Sequence, residues 1–386
     1  MSEWQEVKLK EICKFKYGSN LPANFRIEGN YPVYGSSSVV SHHIDYYVKG
    51  PGIIVGRKGT VGKVQYSPTD FFPIDTTFYI EHNLNKVDLK FLYYRLQISG
   101  LDTMNSDAAV PGLNRIAAIN QKIDLPPLPT QQKIAKILSN YDDLIENNLK
   151  RIKLLEESAR LTYEEWFLRF RIDGKKLEID SDTGLPFGWE CKLMKDFGEV
   201  VTGKTPSTDN ESYYGGDIPF VKTPSMHGNT YTLETADYLT NLGANSQQNK
   251  FLSKNSLMVS CIGTAGVYSL VAGNCQTNQQ INSIRFYKDE YTFYIYGFAG
   301  HLTNVLDAIG SNGATMTNVN KTKFENIKAP MPSIDLLERF HNTFNSNFES
   351  ILNIMKQNQL LKEARDILLP RLMTGMIDTD DMDIAI

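Results

Sequence analysis

The strongest constraint on this chain is that its sequence is internally duplicated. Three phrases occur twice in the same order, and each copy is followed by a proline-rich phrase and a long helical pattern. The pairs are Trp4–Ile12 with Trp189–Phe197, Ile53–Gly62 with Leu257–Gly266, and Val110–Arg115 with Met316–Lys321, each displaced by about half of the chain. A tandem copy of a domain and its helix predicts a pseudo-symmetric protein, which suits a target with two comparable parts.

The charge of the chain is unevenly distributed. The 386 residues carry a formal net charge of −4, which equals the charge of the four aspartates in the tail, Asp378, Asp380, Asp381 and Asp383. Residues 1–130 hold 14 lysines and arginines against 12 acidic residues. This balance excludes a purely electrostatic, histone-like binder of nucleic acid. It is compatible with a protein that recognises bases through a local basic surface.

Cysteine usage and hydropathy place the chain among cytoplasmic proteins. Cys13, Cys191, Cys261 and Cys275 lie far apart without a Cys-x-x-Cys pair, as expected for reduced thiols and not for a metal site. No apolar run approaches the roughly 20 residues that a membrane span needs. The first residues show neither the positive flank nor the apolar core of a signal peptide. We therefore expect a cytoplasmic protein without a membrane partner and without a bound metal.

Local patterns predict an α+β fold with two pseudo-repeated globular domains separated by two long helices. The globular segments alternate short β-rich runs, such as Gly52–Gly56 and Ser256–Val259, with turn residues. The period then changes to that of a helix. The predicted segments are a first globular domain at 1–130, a central helix at 131–170, a polar linker at 171–188, a second globular domain at 189–332, a C-terminal helix at 333–375 and an acidic, disordered tail at 376–386.

Each predicted helix carries a heptad seam. Apolar residues and asparagines recur at steps of three and four from Leu138 to Trp166 and again from Leu337 to Leu372. A helix over residues 131–170 would be roughly 60 Å long at about 1.5 Å per residue, so it cannot bury its apolar stripe against itself. The two seams are therefore expected to pair as an antiparallel coiled coil, with one globular domain at each end.

Three asparagines, Asn148, Asn347 and Asn358, fall on these seams. Two interpretations stay open. Buried asparagines can fix the register of a coiled coil. The same residues can instead face water at the edge of a seam.

The segment Gly198–Thr205 matches the phosphate-loop pattern G-x-x-x-x-G-K-[ST]. That motif needs a strand before the loop and a helix that starts at the Lys-Thr pair. Here Glu199–Thr202 itself has the pattern of a strand, and Pro206 disfavours a helical conformation at Thr205. We therefore interpret the segment as a strand followed by a polar loop that faces a ligand surface, and the sequence contains no recognisable catalytic motif.

Two Gly-Thr-x-Gly turns, Gly59–Gly62 and Gly263–Gly266, each follow an apolar strand. A tight hairpin turn explains at least part of this pattern, because glycine permits positive φ. In the first copy Arg57, Lys58 and Lys63 add a basic cluster suited to phosphate contact. The second copy lacks these charges, so the two copies are not expected to recognise identical partners.

A dense run of amides, Asn278-Gln279-Gln280 and Asn282, occurs only in the second copy. Asparagine and glutamine can bond to the edge of adenine with two hydrogen bonds. For any one of these residues, capping of a loop or strand is the simpler explanation. Asn114-Arg115 and Asn320-Lys321 occupy equivalent positions, where each pair either caps the next segment or touches a DNA backbone.

Several phrases resemble those of the DNA specificity subunits of type I restriction-modification systems. The similarity covers about residues 1–377 and depends on the order and duplication of the phrases. These are Pro127–Gln132 at the start of the first helix, Trp189–Phe197, Thr202–Ser207, Gly215–Val221 and Leu368–Gly375. The start of the second helix, Ser333–Glu338, departs from the family because it lacks the usual Glu/Gln-Gln pair.

The resemblance implies a division of labour between subunits. Each globular domain would be a target recognition domain that reads one half of a bipartite double-stranded DNA site. The helices would set the unread spacer and dock two modification subunits, which carry the adenine methyltransferase and bind S-adenosylmethionine. Restriction subunits would supply the translocase and nuclease and use ATP and Mg²⁺. The chain itself would be non-catalytic and would hold no cofactor.

The predicted DNA-contacting residues combine a loop position with suitable chemistry. They are Lys16, Tyr17, Ser19, Arg57, Lys58, Thr60 and Lys63 in the first domain, and Lys204, Thr205, Ser207, Lys222, Thr264, Gln279 and Gln280 in the second. Two alternative functions remain at this stage. One is a non-catalytic, two-headed protein scaffold outside restriction, and the other is a nucleotide hydrolase that uses the 198–205 loop.

Overall fold

The computed structural model describes residues 4–104, 112–310 and 317–379. The chain divides into two units: unit 1 comprises Met1–Glu146 and Leu360–Ile386, and unit 2 comprises Asn147–Gln359. Both divisions fall inside a long helix, so each unit contains a globular domain and one stretch of each helix. Part of the third repeated phrase (110–111 and 316) and most of the acidic tail lie outside the described residues.

In the described residues, unit 1 is built from nine strands, four α-helices that begin in it, and the C-terminal stretch of a further long helix. The strands are β1 Gln5–Lys8, β2 Cys13–Tyr17, β3 Tyr31–Tyr34, β4 Val39–His43, β5 Gly52–Gly56, β6 Val64–Ser67, β7 Phe72–Pro73, β8 Thr77–His82 and β9 Lys122–Leu125. The helices are α1 Leu9–Ile12, α2 Leu89–Gln97, α3 Arg115–Asn120 and α4 Leu128–Tyr163, of which α4 continues into unit 2.

The elements of unit 2 follow a similar order. The strands are β10 Arg171–Ile172, β11 Lys175–Lys176, β12 Glu190–Leu193, β13 Gly198–Thr202, β14 Tyr214–Val221, β15 Tyr231–Thr232, β16 Asp237–Leu239, β17 Leu257–Ser260, β18 Ile262–Gly263, β19 Tyr268–Val271, β20 Gln276–Thr277, β21 Ile281–Phe286, β22 Thr317–Asn318 and β23 Lys328–Met331. The helices are α5 Met194–Phe197, α6 Thr223–Met226, α7 Asn241–Asn245, α8 Tyr291–Ala299, α9 Thr303–Gly310, α10 Lys321–Glu325 and α11 Ile334–Met373, of which α11 continues into unit 1.

The sheets confirm the duplication. Unit 1 has a four-stranded sheet in the order β2-β8-β5-β6, and unit 2 has the equivalent order β13-β21-β17-β19 with β15 added at the edge. A second sheet, β4-β3-β7, corresponds to β16-β14-β20, and each of these pairs its central strand with the last strand in parallel. The antiparallel pair β1-β9, which joins the two ends of the first domain, corresponds to β12-β23.

The two predicted long helices are confirmed. Helix α4 begins at Leu128 and passes into a π-helical turn at Glu164–Leu168, and α11 runs from Ile334 to Met373. Residues 171–188, predicted as a polar linker, include the short hairpin β10-β11. Ile172, Leu177 and Leu185 from this segment pack against the core of unit 2, since even a polar stretch buries its few apolar side chains. No described helix is long and apolar enough to cross a membrane.

The long helices pair antiparallel in both units. In unit 2 the side-chain amide of Asn148 donates to Asn358 Oδ1 at 2.8 Å, and Trp166 and Tyr163 lie with their rings 5.8 and 6.2 Å from Phe340. In unit 1 Asp142 on α4 accepts from Arg365 on α11 at 2.6 Å. Later residues of α4 therefore contact earlier residues of α11, which is the antiparallel arrangement that the seams predict.

The asparagines at the seam divide between the two interpretations. Asn148 and Asn358 are buried and bond to each other, so they suit a role in fixing register. Asn347 is only half-buried and resembles a seam-edge residue.

The beginnings of the two helices differ in a way that explains the departure of Ser333–Glu338 from the family pattern. The buried Gln131 side chain accepts from the backbone N–H of Asp88 at 2.9 Å and donates to the carbonyls of Pro126 and Lys86. When the first residues of the two helices are aligned, Leu337 of α11 takes the position of Gln131, and it is fully buried in an apolar core. The first helix is therefore fastened to its domain by hydrogen bonds, and the second by apolar contact.

The Asn148–Asn358 pair yields a stability test. Asn148→Ala leaves the buried amide of Asn358 without its partner, so we expect the free energy of unfolding to fall by about 1–3 kcal/mol. The measurement is urea denaturation of the full chain followed by far-UV circular dichroism. Asn347→Ala is the matched control and should change the free energy by less than about 0.5 kcal/mol. Equal losses in the two variants would contradict a special role for the buried pair.

Candidate DNA interface

The sheet topology brings several of the predicted residues to one edge in each unit. In unit 1, β2 and β5 both pair antiparallel with β8, so both end at the same edge, where Tyr17 faces Phe78 and Gly56 faces Thr77. In unit 2, β13 and β17 flank β21 in the same way. We call the residues that follow these strand ends, with their neighbours, the first and second strand-end sites.

The first strand-end site is centred on an exposed tyrosine between two arginines. The guanidinium carbons of Arg57 and Arg115 lie 5.3 and 5.4 Å from the centroid of the Tyr17 ring. Arg57 Nε also donates to the carbonyl of Asp75 at 3.0 Å, which holds the side chain in place. A guanidinium can stack on an aromatic face and still donate in its plane to phosphate oxygens or a guanine edge.

The other predicted residues of unit 1 occupy different settings. Lys58, Thr60 and Lys63 are exposed in and beside the turn that follows β5. Lys16 is ion-paired with Glu81 at 3.5 Å, and strand alternation places it on the opposite face of β2 from Tyr17. Ser19 is half-buried, with its backbone N–H bonded to the carbonyl of Pro73. The turn residues lie close in sequence to Arg57 and are exposed, so they extend the first strand-end site. The charge of Lys16, in contrast, is offset by that of Glu81.

The Gly-Thr-x-Gly turns are tight and their glycines are structurally required. Gly59, Gly62, Gly263 and Gly266 all have φ between +73° and +87°. A Cβ on Gly62 would lie 2.2 Å from the backbone nitrogen of Asp102, so the turn packs directly on the following segment. The hairpin interpretation is therefore sufficient for the glycines, and any recognition role belongs to the side chains around them.

The second strand-end site is organised by amides and hydroxyls. Thr205 Oγ1 donates to Gln279 Oε1 at 2.6 Å, and Asn278 Nδ2 donates to Gln280 Oε1 at 3.0 Å. Gln279 is exposed, so its amide N–H groups remain available beyond the bond to Thr205. A glutamine oriented in this way has the donors and acceptor that an adenine edge requires.

A group of lysines adds positive charge beside these amides. Burial lowers the pKa of Lys250, and the nearby charges of Lys321 and Lys204 lower it further. Lys222 is ion-paired with Asp237 at 2.8 Å, and Lys321 is ion-paired with Glu325 at 3.5 Å. The remaining predicted residues of this unit, Ser207 and Thr264, are exposed in loops.

Three basic residues of these sites were absent from the predicted set: Arg115, Lys250 and Lys321. Two of them could have been found from the repeat, because Arg115 and Lys321 each follow an asparagine at equivalent positions of the two copies. Those asparagines cap helices: Asn114 Oδ1 accepts from Ala117 N at 3.0 Å and Asn320 Oδ1 from Lys323 N at 2.9 Å. The cap holds the next, basic residue near the strand ends. Lys250 had no sequence signal.

The 198–205 loop lacks the context of a phosphate loop. Its first half is strand β13, and no helix starts at Lys204-Thr205; the next helical segment is a 3₁₀ turn at Glu211–Tyr213. The backbone N–H of Lys204 donates to the carbonyl of Thr277 at 2.9 Å and is not free to hold a phosphate. The geometry therefore agrees with an extended strand and polar loop.

Comparison with known proteins identifies the family. The model of the type I restriction modification DNA specificity domain matches this chain twice, over residues 1–157 and 186–358. This chain belongs to the type I restriction-modification DNA specificity family. Each of its two globular domains is thus one copy of a DNA specificity domain, and the interpretation as a specificity subunit is supported over the scaffold and hydrolase alternatives.

Individual relatives agree with the family assignment. The chain is 30% identical to the type I restriction enzyme HindI specificity subunit of Haemophilus influenzae, over 80% of this chain and 82% of the relative. It is 23% identical to the MjaIX specificity subunit of Methanocaldococcus jannaschii, over 98% and 95% of the two chains. The crystal structure of an S subunit from M. genitalium shares the fold with a TM-score of 0.65, at 16% identity and with 96% of each chain covered.

The paired arginines of the first strand-end site yield a binding test. Arg57→Ala and Arg115→Ala should each weaken binding to a mixed-sequence duplex and reduce the slope of log K against log salt by about 1, because each removes one phosphate-neutralising cation. Fluorescence anisotropy at several salt concentrations measures both quantities. Lys14→Ala is the control, since Lys14 is exposed on the other face of β2. A slope unchanged in both arginine variants would show that neither guanidinium contacts the backbone.

Proposed function

We propose that this specificity subunit reads a bipartite site in double-stranded DNA, with the first strand-end site contacting one half and the second contacting the other. The proposal is carried by one observation: the two strand-end sites occupy equivalent positions in the two units but have different side-chain chemistry. The two sites lie at the same edge of equivalent sheets, yet one presents arginines on a tyrosine and the other presents amides, hydroxyls and lysines. The two halves of the target should therefore differ in sequence.

The chemistry of each site suggests how recognition is divided. The arginines and lysines would hold phosphate oxygens and fix the orientation of the duplex, and the side chains at the strand ends would reach base edges. Gln279 and Gln280 would favour adenine, while Arg57 and Arg115 would favour guanine where they reach a base. The proposed contacts remain those predicted from the sequence, with Arg115 and Lys250 added. Lys16, Lys222 and Lys321 are least favoured because each is ion-paired with a carboxylate.

The long helices carry a repeated apolar feature that supports two docking sites. Leu154 and Leu161 on α4 are 67% and 46% exposed, and Leu360 and Ile367 on α11 are 65% and 54% exposed. The members of each pair are about two helical turns apart, and so lie on one face of their helix. The two pairs coincide when the first residues of the two helices are aligned, so they are equivalent in the repeat. Their recurrence at equivalent positions of the two repeats is what we take as the sign of a shared interaction surface.

We propose that each pair docks one modification subunit, which makes two in total. In this arrangement the adenine methyltransferase and its S-adenosylmethionine belong to those subunits, and ATP and Mg²⁺ serve the restriction subunits. The specificity subunit itself contributes recognition and assembly, and not catalysis, in the cytoplasm. The modest charge of the chain fits this proposal, because other subunits would help to enclose the DNA.

The DNA-reading proposal predicts a specific change in methylation. A genome-wide map of methylated adenines in the source cell, with and without this gene, should lose one bipartite motif made of two short halves around a fixed gap. Restoring the gene with Gln279→Ala should change or relax one half and leave the other half intact. An unchanged map in the deletion strain would contradict the proposal.

The docking proposal predicts a stepwise loss of partners. Leu154→Glu with Leu161→Glu should remove one modification subunit, and Leu360→Glu with Ile367→Glu should remove the other, because a charge on the apolar pair opposes its burial. Light scattering of the purified complex gives the number of bound copies. Ser158→Glu and Lys362→Glu, at exposed polar positions of the same helices, are the matched controls. Two bound copies in both double variants would exclude these pairs as docking sites.

A further inference from the structure

Unit 2 contains a cavity whose lining includes none of the predicted DNA-contacting residues. The cavity has a volume of about 690 Å³ and lies between α4, α8 and the loop before β15. Sites for small molecules are typically about 300–1,000 Å³ and are lined by aromatic side chains with a few polar groups. Here the aromatic lining includes Tyr163, Tyr268, Tyr296 and His301, and Glu156 is among the charged residues.

The duplication shows what occupies the corresponding position in unit 1. Helices α2 and α8 are both nine residues long and start at Leu89 and Tyr291, so Tyr94 corresponds to Tyr296. In unit 1 the Tyr94 hydroxyl donates to Asp142 Oδ2 at 2.5 Å, and Arg365 Nη1 donates to Asp142 Oδ1 at 2.6 Å. A guanidinium, a carboxylate and a phenol therefore fill this part of unit 1.

Unit 2 has lost the guanidinium. Helices α4 and α11 start at Leu128 and Ile334, and aligning these two starts pairs Arg365 with Ala159 and Asp142 with Phe348. The ring of Phe348 contacts Tyr296 with 5.5 Å between centroids, which confirms that the equivalent side chains meet. Ala159 and Phe348 both line the cavity. The replacement of a long side chain by alanine thus leaves space where unit 1 has its own cation.

A carboxylate remains in the cavity one turn away. Glu156 precedes Ala159 by about one helical turn on α4, and its Oε1 accepts a short hydrogen bond from the hydroxyl of Thr230. Its second oxygen makes no hydrogen bond to the described residues. The other two lining glutamates are ion-paired with Arg160. Its contact with Glu164 is short, and its contact with Glu157 is 3.7 Å. Glu156 is therefore the lining carboxylate that retains unused capacity for a cation.

The phenols around Glu156 stay neutral. Burial is the main cause that raises the pKa of Tyr268 and of Tyr296, and the Glu156 charge raises both further. The Tyr296 hydroxyl lies 3.3 Å from the hydroxyl of Thr230, the same group that bonds Glu156. Neutral aromatic rings beside a carboxylate attract a cation through both the ring quadrupole and the full negative charge.

We propose that this cavity binds a small organic cation, a guanidinium or primary ammonium group on a short aliphatic chain. The cation lies against Glu156, where unit 1 holds the guanidinium of its own Arg365 against Asp142, and the aliphatic chain lies among the aromatic rings. The volume favours a whole small molecule over a single inserted side chain. The binding site belongs to unit 2 alone and does not depend on the DNA-reading proposal.

The test uses isothermal titration calorimetry on the full chain with two probes of the same shape. Butylguanidinium carries the charge, and N-butylurea is its neutral counterpart. We expect saturable binding of butylguanidinium at one site per chain and binding of the urea at least about tenfold weaker, as the loss of one charge-assisted hydrogen bond implies. Binding should also raise the melting temperature of the chain through mass action.

Two variants locate the site. Ala159→Arg supplies the missing guanidinium from the chain itself, and Glu156→Gln removes the carboxylate with little change in shape. Each should weaken butylguanidinium binding at least about tenfold. Asp143→Asn, an exposed residue of α4 in unit 1, is the control and should leave binding unchanged. Far-UV circular dichroism checks that the variants fold, and Glu156→Gln keeps the test decisive if Ala159→Arg does not.

Three results would overturn the proposal. The first is no saturable binding of butylguanidinium at millimolar concentration. The second is equal affinity for the cation and the urea, which would mean that the cavity selects shape without charge. The third is binding that persists in Glu156→Gln, or in a folded Ala159→Arg, which would place the cation elsewhere on the chain.

Discussion

The structure depends on the burial of the seam between α4 and α11. Leu138, Leu369 and Leu372 join the core of unit 1, and Ile152, Ala159 and Phe344 join the core of unit 2, so in both units the helix pair is part of the hydrophobic core. Because the helices are long and amphipathic, neither buries its stripe without the other. The Asn148–Asn358 pair adds a polar contact that a shifted register would leave unsatisfied.

The duplication keeps the framework and varies the surfaces. Strand order, the positive-φ turns and the asparagine caps of α3 and α10 recur in both units, because each is needed for the backbone to close on its core. The side chains at the strand ends differ, and so does the interior position held by Arg365 in one unit and Ala159 in the other. The fold constrains the strand order, turns and caps, whereas the side chains at the strand ends and at the Arg365/Ala159 position are free to differ and to acquire distinct ligands.

The placement of the proposed contact residues was predictable where those residues lie at or just beyond the ends of strands. Tyr17, Arg57, Thr205 and Gln279 all fall in this class, and the structure brings the members of each unit together at one sheet edge. Pairing between side chains distant in sequence was not predictable. Lys16 with Glu81, Lys222 with Asp237 and the lysine group at Lys250 arise from strand register and loop packing, which local pattern does not report.

The two-copy architecture, the long paired helices with their antiparallel direction, and the family resemblance could all be read from the amino-acid order. These features rest on periodicity and on order along the chain, which are properties of the sequence. Three outcomes required the folded chain: which seam asparagines pair, which lysines are ion-paired with carboxylates, and where Ala159 leaves a cavity. Those outcomes depend on distances between residues that are far apart in the chain. Burial and electrostatic interaction are set by these distances in space, which the order of residues along the chain does not give.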